Sequence, residues 1–404
     1  MKQVYIIDYI RTPIAKFQGG LSEVRADDLA AIVLKEIVKR NPQIPAEEIE
    51  DVILGCANQA GEDNRNVARM ASLLAELPIK IGGETVNRLC ASGMAAIANA
   101  YRAIAIGEGD FYIAGGVEQM TRAPYVLSKS AQPFGRDVQL FDSSFGWRFI
   151  NPKMKELYGV DGMGETAENL AEIYKISREA QDEFALHSQQ KATSAQNSGR
   201  LAQEIVNVEI PQKKGEPKIF SEDEFVKPDT TLDKLAKLRP AFKKEGGSVT
   251  AGNSSGLNDG AAAMILASED AVKKYNLKPL AKIISSAVVG VEPRIMGIGP
   301  VEATKKALSR ANLSLEDMDI IELNEAFAAQ ALSVLQELGI DANDERLNPN
   351  GGAIALGHPL GMSGTRIVGT AAIELQIKNK KYALCTLCIG VGQGYAMIIE
   401  NVNL

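Results

Sequence analysis

Three separate segments of this chain contain residues that could carry thiol chemistry. Cys90 lies in the segment VNRLCASGM (86–94), and His358, one of only two histidines, lies far downstream in GGAIALGHPLG (351–361). Cys385 and Cys388 follow, just before a run of glycines. Cysteine is a strong nucleophile only as the thiolate, and a nearby imidazole is the usual means of forming a thiolate near neutral pH. The combination predicts acyl transfer through a cysteine.

Cys90 and His358 must each be distinguished from a residue with only a structural role. Cys90 precedes an Ala- and Gly-rich helical pattern, so we expect it near a helix N-terminus, where the helix dipole favours a thiolate. Taken alone, it could equally be a small buried apolar residue. The glycines around His358 allow close backbone approach and Pro359 stiffens the turn, which fits a held catalytic imidazole. His187 lies in a predicted amphipathic helix and is interpreted as structural or solvated.

The spacing of Cys385 and Cys388, Cys-x-x-Cys, also occurs in metal sites and redox pairs. Zinc would need further ligands, and the sequence has no second pair of this kind and no His pair. Alternation along a strand would place the two cysteines on opposite sides. We therefore predict no metal site, and we interpret Cys56, which follows a predicted strand, as core filling.

Polar residues in two further segments could assist the cysteine chemistry. Asn324 follows a predicted strand over 319–323, and ligand-binding groups gather at the carboxyl ends of parallel strands. Its side chain could hold a water or donate to an oxyanion, or it could simply cap the next helix. The Gly/Ser/Asn-rich loop 248–260 could present backbone amides to a ligand or merely turn the chain.

Composition excludes several classes of protein. The 404 residues are 45% hydrophobic and 24% charged, with a net charge of −7, which argues against a nucleic-acid partner. A small polyanionic ligand needs only a local basic patch. We identify no apolar run long enough to cross a membrane, and four cysteines do not form a disulfide framework. The sequence therefore predicts a reduced, cytoplasmic globular protein.

The order of predicted helices and strands is repeated along the chain. Near-continuously apolar strands alternating with helices predict α/β architecture with helices on both sheet faces. We predict two homologous halves, 1–268 and 269–404. The matching segments are 28–34 with 301–308, 51–55 with 319–323, 92–106 with 361–375, and 111–117 with 384–391.

The region over about 121–250 differs in character from both halves. It contains seven prolines, most lysine clusters, the only tryptophan, Trp147, and an amphipathic helical stretch over 177–194. Long insertions in regular proteins are usually functional. We expect this region to be an inserted loop domain that covers the active site.

Five motifs together resemble those of the thiolases, and the resemblance extends over essentially the whole chain. They are LCASG (89–93), TAGN (250–253), NEAF (324–327), GHP (357–359) and CIG (388–390). The resemblance implies two duplicated βαβαβαββ halves in a five-layer α-β-α-β-α core with an inserted loop domain. It also implies a homo-oligomer, either a dimer or a homotetramer.

The resemblance assigns a role to each catalytic position. Cys90 is the acylated nucleophile, His358 is its base, and Cys388 is the acid/base at the α-carbon of acetyl-CoA. Asn324 holds a water that forms one oxyanion hole with His358. The backbone N–H groups of Cys90 and Gly390 form the other. Such preorganised donors stabilise the negative charge that develops on the carbonyl oxygen.

Binding residues follow from the same resemblance. Ser255 matches the position that contacts pantetheine, Met163 and Met296 line the acyl pocket, and Phe327 belongs to the substrate-binding set. Lys227 stands where an arginine near the CoA nucleotide is usual, so the charge is kept and the planar stacking surface is lost. Coenzyme A is thus expected as a co-substrate and acyl-CoA as the ligand, with no permanently bound cofactor.

Within the family, three segments look closest to the β-ketoadipyl-CoA thiolases of aromatic degradation. Gly162 stands where acetoacetyl-CoA enzymes carry a histidine. A dicarboxylic substrate would need a donor for its second carboxylate, and Arg65, Arg148 and Arg294 are candidates, or else surface or subunit-contact arginines. The three segments are 55–66, 145–149 and 290–297.

Other activities remain as alternatives at this point. An acetoacetyl-CoA thiolase or a general fatty-acid 3-ketoacyl-CoA thiolase would use the same four catalytic positions. A decarboxylating β-ketoacyl synthase needs a second catalytic histidine and lacks the second cysteine, so the presence of Cys388, with only His187 left over, argues against it. A non-catalytic acyl-CoA-binding scaffold would be expected to lose a catalytic position, and all four are kept.

Overall fold

The structure is a computed structural model that describes residues 2–404. Over this range the chain forms fourteen strands and twelve α-helices. The strands are β1 (Val4–Arg11), β2 (Ala15–Lys16), β3 (Ile49–Gly55), β4 (Glu84–Val86), β5 (Phe111–Gln119), β6 (Tyr125–Leu127), β7 (Leu140–Asp142), β8 (Val208–Ile210), β9 (Lys218–Phe220), β10 (Asn258–Ser268), β11 (Ala281–Gly290), β12 (Ile320–Leu323), β13 (Tyr382–Ile389) and β14 (Gln393–Glu400).

The α-helices alternate with these strands in both halves. They are α1 (Ala26–Arg40), α2 (Val67–Leu74), α3 (Ser92–Ile106), α4 (Pro152–Tyr158), α5 (Met163–Ile173), α6 (Arg178–Asn197), α7 (Leu232–Ala236), α8 (Glu269–Lys274), α9 (Gly299–Ala311), α10 (Ala328–Leu338), α11 (Ala353–Leu356) and α12 (Leu360–Lys378).

The strand pairing repeats in the two halves. In the first half β3 pairs parallel with β5, which pairs antiparallel with β10, which pairs antiparallel with β1. In the second half β12, β13, β14 and β11 pair in the same order and directions. Even the parallel pairing of β4 with β3 has a counterpart, a single parallel bridge between Ile321 and Leu347. The predicted fold class of two duplicated halves is confirmed.

The two sheets are joined at one place. β1 and β11 pair only at Tyr5 with Lys282 and at Ile6 with Ala281, so the hydrogen-bonded path runs through both halves. The helices α3 and α12 pack against each other, and both contribute to one buried cluster with apolar residues of both sheets. Helices α1 and α2 cover the outer face of the first sheet, and α9 and α10 cover that of the second. The result is five layers.

Close packing of the central helices depends on small residues. A Cβ added at Gly364 would lie 2.3 Å from the backbone nitrogen of Met94, a distance that side chains do not tolerate.

The segment Leu89–Ile106 is long and apolar enough to cross a membrane, with a mean hydropathy of 1.3. The prediction that no apolar run reaches that length is therefore wrong. The segment is 61% buried inside the protein, so its apolar residues serve the central layer.

The inserted region between β5 and β10 is more regular than its composition indicates. It contains α4–α7 and two short antiparallel hairpins, β6–β7 and β8–β9. A fully buried guanidinium, that of Arg11, ties this region to the first sheet by donating to Glu204 at 2.7 Å and to both oxygens of Asp223 at 2.7 and 2.8 Å. The boundaries proposed above for the halves and the insertion stay predictions.

Candidate active site

The nucleophile candidate sits on a strained turn at the start of a helix. Cys90 lies in the single 3₁₀ turn Leu89–Ala91 that leads directly into α3. Leu89 has φ +47°, a backbone conformation that residues other than glycine seldom adopt. The hydroxyl of Ser92 donates to its carbonyl at 2.7 Å. The Cys90 thiol is partly exposed and unpaired. Active-site residues are often held in such strained conformations.

The protonation state of Cys90 is set by two opposing effects. Burial raises the pKa of its thiol to about 11, while the backbone N–H groups of Gly390 and of Cys90 itself act to lower the pKa. The free thiol is therefore protonated near neutral pH, and it needs a base to become a nucleophile. The same two N–H groups face the sulfur, where an oxyanion formed on Cys90 would develop.

The base candidate is held through its backbone and through its ring. The backbone N–H of His358 donates to Oδ1 of Asn258 at 2.9 Å, and its Nδ1 lies 2.6 Å from Oγ of Ser363. Because the Ser363 hydroxyl donates to the carbonyl of Pro359 at 2.8 Å, Nδ1 is the ring nitrogen that carries the proton. Burial, aided by the charge of Arg366, lowers the pKa of His358 to about 3. The imidazole is neutral, with the lone pair on Nε2.

Asn324 faces this imidazole rather than capping a helix. Its Nδ2 lies 3.4 Å from Nε2 of His358, and its backbone N–H donates to the carbonyl of Thr386 at 3.0 Å. The helix α10 begins only at Ala328, so the alternative of a simple helix cap is wrong. The Asn324 Oδ1 is buried without a hydrogen-bond partner in residues 2–404, and it can accept from a bound donor.

The second thiol lies at the end of β13, close to the first. Burial raises the pKa of Cys388, and the neighbouring Cys90 thiol raises it further. The Cys385 thiol points the other way, toward the carbonyl of Ile367 in α12 at 3.5 Å, which confirms the alternation predicted from the sequence. A Cβ at Gly390 would lie 3.3 Å from a side-chain carbon of Leu89, so the end of β13 abuts the nucleophile turn.

The loop after β3 and the loop that carries His358 are joined by a carboxylate that the sequence analysis did not identify. Glu118, at the end of β5, accepts from the N–H groups of Ala57 and Asn58 at 3.0 Å each. It also accepts from the N–H of Gly361 at 2.8 Å, three residues after His358. A Cβ at Gly93 would lie 2.7 Å from the Gly361 carbonyl oxygen. This close contact fixes the His358 loop against the Cys90 helix.

Cys56 has polar neighbours that core filling does not explain. Its buried thiol donates to Oδ2 of Asp63 at 3.4 Å, and Glu118 lies close enough for the three to resemble a metal-binding group. The Asp63 oxygens accept from the N–H groups of Gln59 and Gly61. Backbone donors therefore satisfy these carboxylates without a metal.

Three of the predicted substrate-binding residues come together around the second thiol. Met163, Met296 and Phe327 belong to the same apolar cluster as Cys388. Ser255 lies beside them, because its backbone N–H and hydroxyl both donate to the carbonyl of Ala326, at 3.0 and 3.1 Å. The loop 248–260 and the NEAF segment are thus bound to each other.

Lys227 lies apart from this cluster. It lines a cavity of about 560 Å³ together with residues of α6, and its backbone N–H donates to Oε1 of Gln189 at 2.8 Å. Its ammonium lies 4.7 Å from the centroid of the Phe225 ring, and burial lowers its pKa. An exposed cation at the edge of a roomy cavity can bind a phosphate.

The arrangement has the parts needed for two-step acyl transfer. A neutral imidazole can take the proton of Cys90, paired backbone N–H groups can stabilise an oxyanion, and a second thiol can exchange a proton with carbon. Of the supporting residues that the sequence analysis missed, Ser363 had the clearest signal, since it follows His358 in the first turn of α12.

Comparison with known proteins agrees with this geometry. The family model described as "Thiolase, N-terminal domain" matches residues 4–270, and "Thiolase, C-terminal domain" matches residues 277–401. The chain is 59% identical over 402 residues to the 3-oxoadipyl-CoA/3-oxo-5,6-dehydrosuberyl-CoA thiolase of Escherichia coli, covering 100% of both chains. It is equally similar, with the same coverage, to a β-ketoadipyl-CoA thiolase of Acinetobacter baylyi.

A solved structure extends the similarity to three dimensions. The human mitochondrial 3-ketoacyl-CoA thiolase in complex with CoA superposes with a TM-score of 0.91 at 42% identity. The match covers 99% of this chain and 98% of that one.

Proposed function

This chain belongs to the thiolase family and is an acyltransferase that cleaves 3-ketoacyl-CoA with CoA, and we propose that its substrate is β-ketoadipyl-CoA. The products would be acetyl-CoA and succinyl-CoA. The proposal is supported by full-length identity of 59% to relatives named for this substrate. The observation that carries the chemistry is Cys90 placed against the Gly390 N–H, with the neutral His358 held by Ser363.

In the first half-reaction Nε2 of His358 takes the proton of Cys90, and the thiolate attacks the C3 carbonyl of the substrate. The oxyanion on C3 then collapses, the C2–C3 bond breaks, and the acyl group stays on the Cys90 sulfur. The departing carbanion at C2 takes a proton from Cys388 and leaves as acetyl-CoA. A water held by Asn324 stabilises, together with His358, the enolate oxygen of this leaving group.

The second half-reaction restores both thiols. The Cys388 thiolate takes the proton of an incoming CoA thiol, whose sulfur attacks the thioester carbonyl on Cys90. The N–H groups of Cys90 and Gly390 stabilise the tetrahedral oxyanion. When the carbon–sulfur bond to Cys90 breaks, His358 returns its proton to the Cys90 sulfur. Each proton lost in the first step is thereby recovered.

We assign the remaining substrate contacts in the same way. Met163, Met296 and Phe327 would line the acyl pocket, Ser255 would contact the pantetheine, and Lys227 would lie near the CoA phosphates. The position of Lys227 at the edge of a 560 Å³ cavity supports the last assignment. No permanently bound cofactor is needed, because CoA is itself a substrate.

We further propose that the protein is a cytoplasmic homo-oligomer, a dimer or tetramer. Four free cysteines favour a reducing compartment. The β6–β7 hairpin carries large apolar side chains on its surface, which a second copy of the chain would cover. These exposed residues are Tyr125, Leu127, Phe134, Val138 and Leu140.

The experiment that tests the substrate compares CoA-dependent loss of β-ketoadipyl-CoA, acetoacetyl-CoA and 3-ketooctanoyl-CoA by the purified protein. The highest kcat/KM is expected for β-ketoadipyl-CoA. A preference for acetoacetyl-CoA or the eight-carbon substrate would replace the proposal by one of those two activities.

The nucleophile is tested by mass spectrometry after incubation with an acyl-CoA. The acyl adduct should lie on the peptide that contains Cys90, and Cys90→Ser should lose both the adduct and turnover, because a hydroxyl ionises far less readily than a thiol. An adduct on Cys56 or Cys385 would overturn the assignment.

A further inference from the structure

A small cavity of about 10 Å³, room for about one water molecule, opens beside the oxyanion-hole residue Gly390. It is lined by Trp147, Tyr158, Met163, Pro293, Arg294 and Val391, with Gly159 and Asp161 at its edge. Met163 connects it to the catalytic centre, because its sulfur would lie 3.4 Å from a Cβ at Gly390 and it packs in the cluster of Cys388. The inserted region and the end of β13 therefore build this cavity together.

One wall of the cavity is held in a strained conformation. Val391, next to Gly390, has φ +64°, and a β-branched residue in the left-handed region is a true outlier. Such a conformation persists where the surroundings enforce it, commonly at ligand sites. Its side chain is 39% exposed and lines the cavity, so it does not fill the core.

The opposite wall presents a guanidinium whose orientation is fixed. Nε of Arg294 donates to Oδ2 of Asp161 at 2.9 Å, and Asn169 donates to the same Asp161 oxygen and to the backbone carbonyl of Arg294. The indole N–H of Trp147 donates to the Asp161 carbonyl at 3.2 Å. Within residues 2–404, the two Nη groups of Arg294 make no hydrogen bond, so they can bind a carboxylate bidentately.

The other two candidate arginines are less suitable. The Nη1 of Arg148 donates to the carbonyl of Ser143 at 3.2 Å, and its Nη2 lies 3.5 Å from oxygens of Asn58. Both Nη groups of Arg148 therefore already have hydrogen-bond partners. Arg65 does not line the cavity.

We propose that the exposed rim of this cavity binds the distal carboxylate of a dicarboxylic acyl chain, with Arg294 as the donor and the partly exposed Val391 against the methylene groups. The inference rests on the proposed thiolase substrate. It identifies Arg294 and Val391 as specificity residues that contact the end of the substrate far from the reacting carbonyl.

The test measures kcat/KM for β-ketoadipyl-CoA and acetoacetyl-CoA in the wild type and in Arg294→Met, Val391→Gly and Arg148→Met. Arg294→Met should lower kcat/KM for the dicarboxylic substrate by about tenfold, the scale of a lost charge-assisted hydrogen bond at an exposed site, with acetoacetyl-CoA unaffected. Arg148→Met is the matched control and should keep the ratio of the two substrates.

Val391→Gly separates specificity from folding. Glycine adopts φ +64° without strain, so the melting temperature should not fall, while the preference for β-ketoadipyl-CoA should decrease. A wild type that prefers acetoacetyl-CoA would refute the proposed substrate itself. A wild type that prefers β-ketoadipyl-CoA and keeps that preference in Arg294→Met, or loses it only in Arg148→Met, would refute the carboxylate site alone.

Discussion

Removing the hydroxyl of Ser363 should weaken catalysis without unfolding the protein. Its Oγ lies 2.6 Å from Nδ1 of His358, and both groups are buried. Ser363→Ala leaves a buried N–H without a partner, which costs about 1–3 kcal/mol, and it frees the ring to rotate or to exchange tautomers. Because 1.4 kcal/mol corresponds to a factor of ten, kcat should fall roughly five- to 150-fold.

The matched control is Ser333→Ala. The Ser333 hydroxyl is equally buried and donates to the carbonyl of Ala329 at 2.8 Å, as Ser363 donates to Pro359 at 2.8 Å, but it does not contact His358. Steady-state thiolysis and thermal unfolding should be measured for both variants. Similar melting temperatures and a kcat loss confined to Ser363→Ala are expected. If the kcat values of the two variants agree within about threefold, which is less than the smallest loss expected, Ser363 does not hold the base.

Three further predictions follow from the buried polar groups. Cys388→Ala should still accept an acyl group on Cys90 but should not exchange deuterium into the α-carbon of acetyl-CoA; exchange at the normal rate would remove Cys388 from its role. Arg11→Met should lower the free energy of unfolding in urea by about 3–5 kcal/mol, because it leaves the buried Asp223 carboxylate without a charged partner and Glu204 with Arg200 alone. Arg40→Met, which breaks a more exposed pair with Asp8, should cost about 1 kcal/mol or less. Burial raises the pKa of Glu118 to about 7 from its usual 4.5, so its contribution to stability is fully present below pH 4.5 and is lost as the pH rises through 7. The melting temperature of the wild type minus that of Glu118→Gln should therefore decrease as the pH is raised from 4.5 to 7. A difference that stays constant over this range would contradict the raised pKa.

The sequence by itself predicted a candidate catalytic set and determined the duplicated architecture. Cys90, His358, Asn324 and Cys388 stand in short motifs, and local signals such as glycines beside a rare histidine mark them without any knowledge of distant contacts. The repeated order of helix and strand likewise follows from local periodicity, and α3 spans the 92–106 stretch predicted from it. Period-2 alternation alone separated Cys385 from Cys388.

Only the tertiary structure decided how these motifs are held together. Glu118 connects loops that are hundreds of residues apart, and a lone glutamate at the end of a buried strand carries no local signal of that role. The choice of Arg294 over Arg65 and Arg148 depends on which guanidinium already has partners, which a sequence does not record. The strain at Val391 arises because the chain must turn between β13 and β14 beside the catalytic cysteine, a constraint imposed by the packed sheet and not by the preference of valine.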